Sequence, residues 1–369
     1  MTVETLGLPL VPQPVVPQSA KWAFTTRRVA RADVAGIESK VSHAVSGDLV
    51  LGQIVKVGQH KKIQLAEGRY SDTYLGDHVV VTCGDRYAPD QFEAVAELDP
   101  AGADLVAGGG IVGRMREAHD KMAPPTQIKP LGLLVDGDGE AINIARYALP
   151  DRPVSRDVAV IAVVGASMNA GKTTAAASLA HGLHRAGFRV AAIKATGTGA
   201  FGDFNAFRDA GIPVVADFTD AGMASTYRQP LERIERGFQS LLVHAEEQGT
   251  EVVVVELADG VFQTETKELL RASAIRDRLK GILFAAPDAL GAVGGVSILR
   301  QMGLEPFAVS GMVSCSPLAA AEAEAVVKVP VATREDLRDP KRASGLVSDF
   351  LPRPGEGSRD SVLELAPAA

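Results

Sequence analysis

The stretch from Val158 to Ala180, "VAVIAVVGASMNAGKTTAAASLA", constrains the fold of this chain more than any other. An apolar run passes into Gly165-Ala-Ser-Met-Asn-Ala-Gly171-Lys172-Thr173, then into an alanine-rich segment with no breaker. A run that is apolar throughout reads as a strand buried on both faces, and the alanine-rich segment reads as a helix. The turn between them matches G-x-x-x-x-G-K-[ST], a loop that needs a strand before it and a helix after it. Its glycines let backbone amides face a phosphate chain. Its lysine reaches the β- and γ-phosphates, and its hydroxyl residue is offered to Mg²⁺. The expected ligand is a nucleoside triphosphate, taken as ATP with Mg²⁺. The expected contacts are Gly165, Ser167, Asn169, Ala170, Gly171, Lys172, Thr173 and Thr174.

From Val158 onward the pattern alternates strand with helix. "VAVIAVV", "RVAAIKA", "EVVVVEL", "GILFAA", "FAVSGMV" and "VVKVPVA" read as strands. "KTTAAASLAHGLHRAG" and "PLERIERGFQSLLVHAEEQG" read as helices. This predicts an α/β domain over about 155–352, a doubly wound and mostly parallel sheet of P-loop NTPase type. Residues 20–150 differ. "GDLVLGQIVKVG", "KKIQLAEG" and "LGDHVVVTCGD" are short apolar runs separated by glycine-containing turns, which predicts a small β-rich, barrel-like or sandwich domain. "VDGDGEAINI" reads as a late hairpin turning at Gly137-Asp138-Gly139. Residues 149–157 read as a linker. The proline-rich residues 1–19 and the segment 353–369 read as loose tails.

With 369 residues, 46% hydrophobic and 22% charged, the chain has room for two cores. A formal net charge of −7 gives no electrostatic reason to expect nucleic acid or an anionic membrane as partner. No apolar run approaches membrane-spanning length, and the N-terminus lacks a basic flank. Cys83 and Cys315 fall in separate predicted domains and read as buried thiols. A cytoplasmic protein is expected, and a homodimer is left open.

In an open α/β sheet, ligands bind beyond the carboxyl ends of the strands. Lys194 ends one strand there, before the glycine-rich "GTGAFGD", and is expected to face the phosphates or a second substrate. Glu256 ends "VVVVE" and is expected to join Thr173 in holding Mg²⁺. Asp203 is the further metal candidate, although a role at a helix start would also explain it. Asp209 falls on a different helix face, and Asp259 follows Glu256 in a loop where it could meet substrate. Arg86 and Arg114 could supply positive charge to an acidic substrate between the domains. Gly108-Gly109-Gly110 could open a helix as another anion site, with an unliganded loop as the stronger alternative. His181 and His184 show no third metal ligand and read as a surface pair.

Together the phosphate loop, Lys194, Asp203 and Glu256 resemble the dethiobiotin synthetase branch of P-loop proteins. They also resemble P-loop families of unassigned function. That resemblance implies Mg²⁺ at Asp203 and Glu256, and Lys194-Ala195 stands where the family carries Lys-Pro. The family's glycine-rich run after the glutamate is Leu257-Ala258-Asp259-Gly260 here. Its adenine-reading asparagine falls near Ser314, Cys315 and Ser316. The resemblance covers roughly 158–333, and the β-rich domain has no counterpart in that enzyme. Ala166 also replaces the extra loop lysine of the ATPases that position septa or chromosomes.

The expected function is Mg²⁺-dependent activation of a small acidic substrate by phosphoryl transfer, as a carboxylate- or carbamate-activating ligase or a kinase. Lys172, Lys194 and Glu256 would be the catalytic residues. The alternative is a nucleotide-dependent switch or assembly protein.

Overall fold

The computed structural model describes residues 15–153, 158–351 and 354. The expected tails therefore lie largely outside the described residues, as does the middle of the expected linker, 154–157.

The α/β region is built on six parallel strands. Their order across the sheet is Val214–Asp217, Val190–Lys194, Val252–Glu256, Ala159–Gly165, Leu279–Ala285 and Ala308–Ser310. Side chains of a strand alternate between faces, so a strand covered on both sides must be apolar at every position. Ala159–Gly165 meets that demand. Val160, Ala162 and Val164 enter one core with Ile234, Phe238 and Leu241 of the helix Leu231–Glu247. Ala159, Ile161 and Val163 enter the opposite core with Leu179 and Leu183 of the helix Lys172–Arg185. Each fully buried leucine of this kind contributes about 1.5–3 kcal/mol. The helix Lys172–Arg185 also passes so close to Arg334–Arg338 that a Cβ on Gly182 would lie 2.1 Å from the Leu337 carbonyl oxygen.

Three sequence expectations need correction here. Val214–Asp217 is an edge strand that the apolar-run pattern missed, because it has only four residues and is half-buried over its first two. "FAVSGMV" stops as a strand at Ser310, and Met312–Cys315 is a 3₁₀ turn after Gly311 at φ +92°. "VVKVPVA" is not a strand. Pro317 starts a helix that runs through Val327 and ends on left-handed Lys328, leaving only an isolated bridge from Val331 to Val309.

The N-terminal region is β-rich, as expected, and its central strands close on themselves. His78–Cys83, Leu49–Lys56, Thr126–Val135, Ala103–Ala107 and Ile111–Ala118 pair in that order, and the last pairs back to the first through Thr82–Ile111 and Cys83–Val112. Closure of this kind leaves these strands without free edges. The turn at 136–140 forms, with Gly139 at φ +81° and the Asp136 carboxylate accepting from the amides of Asp138 and Glu140, each at 3.0 Å. Its second arm is only the bridge Val135–Ala141. Gly108-Gly109-Gly110 leads into the strand Ile111–Ala118 rather than a helix, which removes the helix-start anion site.

The two regions share a tight seam. A Cβ on Gly109 would sit 1.9 Å from the Gly199 carbonyl oxygen. Beside it, the Arg27 guanidinium crosses from the β-rich region to Asp217 at 2.9 Å and Asp220 at 2.6 Å, and also donates to Thr219. Arg27 lies 4.1 Å from the Phe24 ring, which in turn packs edge-on against Phe201 and Phe204.

Candidate functional site

The phosphate loop bends sharply between its strand and helix. Asn169 at φ +64° and Gly171 at φ +97° supply the left-handed positions. Gly165 has a further reason to lack a side chain, because a Cβ there would lie 2.7 Å from Lys172 Cγ. The lysine folds back across it. Lys172 Nζ donates to the Ser167 carbonyl at 2.8 Å and to the Asp259 carbonyl. Burial lowers the Lys172 pKa, against the opposing pull of Glu256 and Asp259.

Three side chains from three elements converge at the start of the following helix. Thr173 Oγ1 lies 3.0 Å from Asp203 Oδ1 and 3.1 Å from Glu256 Oε1. Thr173 stands at the helix start, Asp203 in the first turn of Phe201–Asp209, and Glu256 at the end of its buried strand. The other Asp203 oxygen accepts from Lys194 Nζ. Glu256 is 2% exposed, and its Oε2 is buried with no hydrogen-bond partner. A buried carboxylate oxygen left without a donor points to a ligand that supplies positive charge.

The electrostatics fit that account. Burial, followed by the Asp203 charge, pushes the Glu256 carboxyl up to about 7, despite Lys194 and Lys172. Burial also pushes Asp203 up, but the Lys194 charge and hydrogen bond outweigh it and hold Asp203 below its ordinary value. Lys194 is raised: burial opposes its charge, and Asp203 and Glu256 more than offset that cost. A hard divalent cation takes oxygen ligands, and Thr173, Asp203 and Glu256 offer them beside the loop that would hold phosphates. Among the described residues no group of three or more His, Cys, Asp or Glu is arranged to hold a metal alone. A cation here would thus rely on the threonine hydroxyl and on the nucleotide.

The remaining candidates separate cleanly. Asp209 is remote from this cluster and lines a different pocket with His181 and Thr174. His184 is exposed, and His181 is half-buried with its Nδ1 2.8 Å from the Ala210 carbonyl oxygen. Cys83 is buried, and burial raises its thiol pKa, but Cys315 is exposed, contrary to expectation. Arg114 points to solvent, 3.6 Å from Glu97.

Arg86 is placed differently. It is 5% exposed and borders a cavity of about 520 Å³ between the two regions, which reaches Lys194, Asp203 and Asp259 on one side and His60 and Gln64 on the other. Gln64 Oε1 accepts from the Phe201 amide at 2.6 Å, at the start of the helix that carries Asp203. The β-rich region also touches the phosphate loop itself, since Asn169 Nδ2 donates to Asp90 Oδ2 at 2.9 Å. Sequence reading did not find Asp90 or Gln64. The only signal was the unusual run "RYAPDQFEA", which contains Arg86 and Asp90 but says nothing about what they face.

A parallel sheet covered by helices, whose strand Ala159–Gly165 passes through G-x-x-x-x-G-K-T into a helix, is the scaffold of a P-loop NTPase. No family model matches the chain, and no curated protein matches its sequence. Solved structures similar to it include the signal recognition particle 54 kDa protein of Aeropyrum pernix, in complex with GDP. That match has 20% identity over 56% of this chain and 51% of that one, with a TM-score of 0.33. The signal recognition particle receptor FtsY of Elizabethkingia anophelis, in complex with GDP, is 18% identical over 55% of this chain and 67% of its own, at 0.34. Chloroplast FtsY of Physcomitrella patens is 15% identical over 57% of this chain and 70% of its own, at 0.36. The chain spans about half the length of the first of these. Likeness of this degree transfers neither residue roles nor function. None of the three is a dethiobiotin synthetase, so that resemblance rests on the motif residues alone. No helix among the described residues is long and apolar enough to cross a membrane.

Proposed function

We propose that this protein is a Mg²⁺-dependent P-loop enzyme that transfers the γ-phosphoryl group of a nucleoside triphosphate to a small acidic acceptor. The acceptor would be a carboxylate or carbamate, as in the dethiobiotin synthetase branch. The observation that carries this reading is Lys194. Its ammonium is bonded to Asp203 and also borders the cavity between the regions, so one side chain would serve both the metal cluster and a second-substrate cleft. In this reading the two regions act as separate domains that form one cleft.

The roles of the residues follow from charge. Lys172 swings from its carbonyl partners to the β- and γ-phosphates, a move that replaces two neutral acceptors by charged ones. Thr173, Asp203 and Glu256 would hold Mg²⁺, which when bound neutralises the phosphate oxygens and orients the γ-phosphorus. Lys194 holds the acceptor oxygen. That oxygen forms a bond to the γ-phosphorus while the bond to the β–γ bridging oxygen breaks, and the nucleoside diphosphate leaves with the electron pair. Such a reaction needs positioning and charge neutralisation more than covalent catalysis.

A second reading is supported by Asn169 and Asp90. Their contact ties the phosphate loop to the β-rich region, as a nucleotide-dependent switch or assembly protein would require. Against it stand the Gly109–Gly199 contact and the Arg27 pairs, which hold the two regions in fixed register. Release of the nucleoside diphosphate distinguishes the two. The enzyme should turn over slowly until a small carboxylate or carbamate acceptor is added, whereas a switch should ignore such acceptors and respond to a macromolecule. Running the assay with ATP and with GTP identifies the base. Failure of every small acceptor to stimulate release, with stimulation by a protein partner, would replace the first reading by the second.

A further inference from the structure

The cavity between the two regions contains a charged group that the phosphoryl-transfer chemistry does not use. Arg86 Nη2 donates to Gln91 Oε1 at 2.8 Å, but its Nε and Nη1 are buried without any hydrogen-bond partner. Its ring neighbour Phe92 lies 6.0 Å away and supplies only a weak cation–π contact. An arginine cannot shed its charge, and each buried donor left unmade costs about 1–3 kcal/mol. A side chain held this way needs an occasional partner to explain it.

The groups around Arg86 narrow the choice of partner. Asp90 and Asp259 are its nearest acidic neighbours, and both attract it without a hydrogen bond. One Asp90 oxygen is taken by Asn169, while the other is buried without a hydrogen-bond partner, as are the two Arg86 donors. His60 faces the same space with its Nδ1 turned to the Leu105 carbonyl at 2.9 Å, and burial together with Arg86 lowers its pKa to about 4. It is therefore neutral and does not add to the cation count. Lys61 and Lys62 stand at the cavity mouth. Burial also lowers the Arg86 pKa, to about 10, which still leaves it charged at neutral pH.

We propose that Arg86 binds a second carboxylate of the acidic substrate whose reacting group Lys194 holds, both side chains lining the same cavity. The substrate class is thus a small molecule with two acidic groups, one reacting and one anchoring. This rests on the cavity being the acceptor site. It adds the anchoring group and its chemistry. A planar carboxylate suits a guanidinium whose donors lie in one plane. The anchor belongs to the β-rich region and the reacting end to the parallel sheet, so the substrate bridges the two.

Calorimetric titration of the full chain with succinate, glutarate and adipate tests this, with and without Mg²⁺ and a non-hydrolysable triphosphate analogue. At least one diacid should bind the wild type, and Arg86→Met should weaken it roughly 30-fold or more, as expected for losing one partner of a desolvated charge pair. Arg86→Lys should fall between them, because it keeps the charge and loses the planar fork. Thermal unfolding checks that each variant is folded, and Arg86→Lys carries the test if Arg86→Met does not fold. Equal diacid binding by wild type and variant overturns the proposal, as does binding of glycerol phosphate in place of every diacid. Absence of diacid binding to a wild type that does bind nucleotide overturns it as well. Loss of nucleotide binding by the wild type would instead strike the phosphoryl-transfer reading, and diacid titration without nucleotide would still report on Arg86.

Discussion

Lys194 and Asp203, nine residues apart, form an ion pair in which the other Asp203 oxygen accepts from Thr173 at 3.0 Å. One carboxylate thereby connects the loop threonine to the lysine that borders the cavity. Lys194→Ala should leave nucleotide affinity nearly intact while removing stimulation by an acceptor. Losing a charge-assisted contact made in the transition state costs roughly 3–4 kcal/mol, or two to three orders of magnitude in turnover. Calorimetry for nucleotide and release of nucleoside diphosphate for turnover, both on one preparation, check the two halves. Unaltered stimulated turnover would reduce Lys194 to a structural partner of Asp203.

Thr173→Val keeps the shape of the side chain and removes its oxygen. Mg²⁺-dependent turnover should disappear, because a methyl group cannot ligate a hard cation. Turnover at the wild-type rate in this variant would remove Thr173 from the cation site.

Glu256→Gln should act in opposite directions on activity and stability. Turnover should fall by about a hundredfold, as is common when a metal partner is lost. The folded-state carboxyl is raised from 4.5 to about 7, first by burial and then by Asp203. Between those values the folded chain retains a proton that the unfolded chain has released, so stability falls as pH rises from about 4.5 to about 7. The glutamine variant has no such proton. Its ligand-free stability should be flatter over that window and higher than wild type at pH 8, by on the order of 2 kcal/mol. Urea unfolding at pH 5 and pH 8 measures this, and parallel pH profiles for both proteins would refute it.

Arg27→Ala should destabilise the chain without involving the nucleotide site. Its loss leaves Asp217 buried without its cation and Asp220 with only Arg28 at 3.8 Å, a change worth about 3–5 kcal/mol. The double substitution Asp217→Asn with Asp220→Asn in the Arg27→Ala background should recover part of that loss. Equal urea midpoints for wild type and Arg27→Ala would show that the pair contributes little.

The parallel sheet was legible because its central strands are buried on both faces, and that burial is written as unbroken runs such as "VVVV" before Glu256. Its edges were harder. Val214–Asp217 is short and half-buried, and the apolar residues of "VVKVPVA" are shared between a helix end and a bridge. The barrel strand Ile111–Ala118 was hidden by the glycines before it and by exposed charges along its second half. The convergence of Thr173, Asp203 and Glu256 was legible for a related reason: strand ends and the residue after the loop lysine have fixed positions in such a sheet. The cavity was not. Asp90 meets Asn169 across 79 residues of sequence, and Gln64 meets Phe201 across 137. No local pattern encodes a contact between two separately built sheets.

The ring of strands at 49–135 meets the cleft through its turns and strand ends, whereas Lys172, Thr173, Lys194, Asp203 and Glu256 stand on the helices and strands of the parallel-sheet region. Substitutions at 59–62 and at Arg86, Tyr87 and Gln91 can therefore reshape what the cleft admits while the Asp90 contact to Asn169 and the Gln64 contact to Phe201 are kept. Variants altered only at those positions would be the place to look for proteins that share its chemistry and differ in what they act upon.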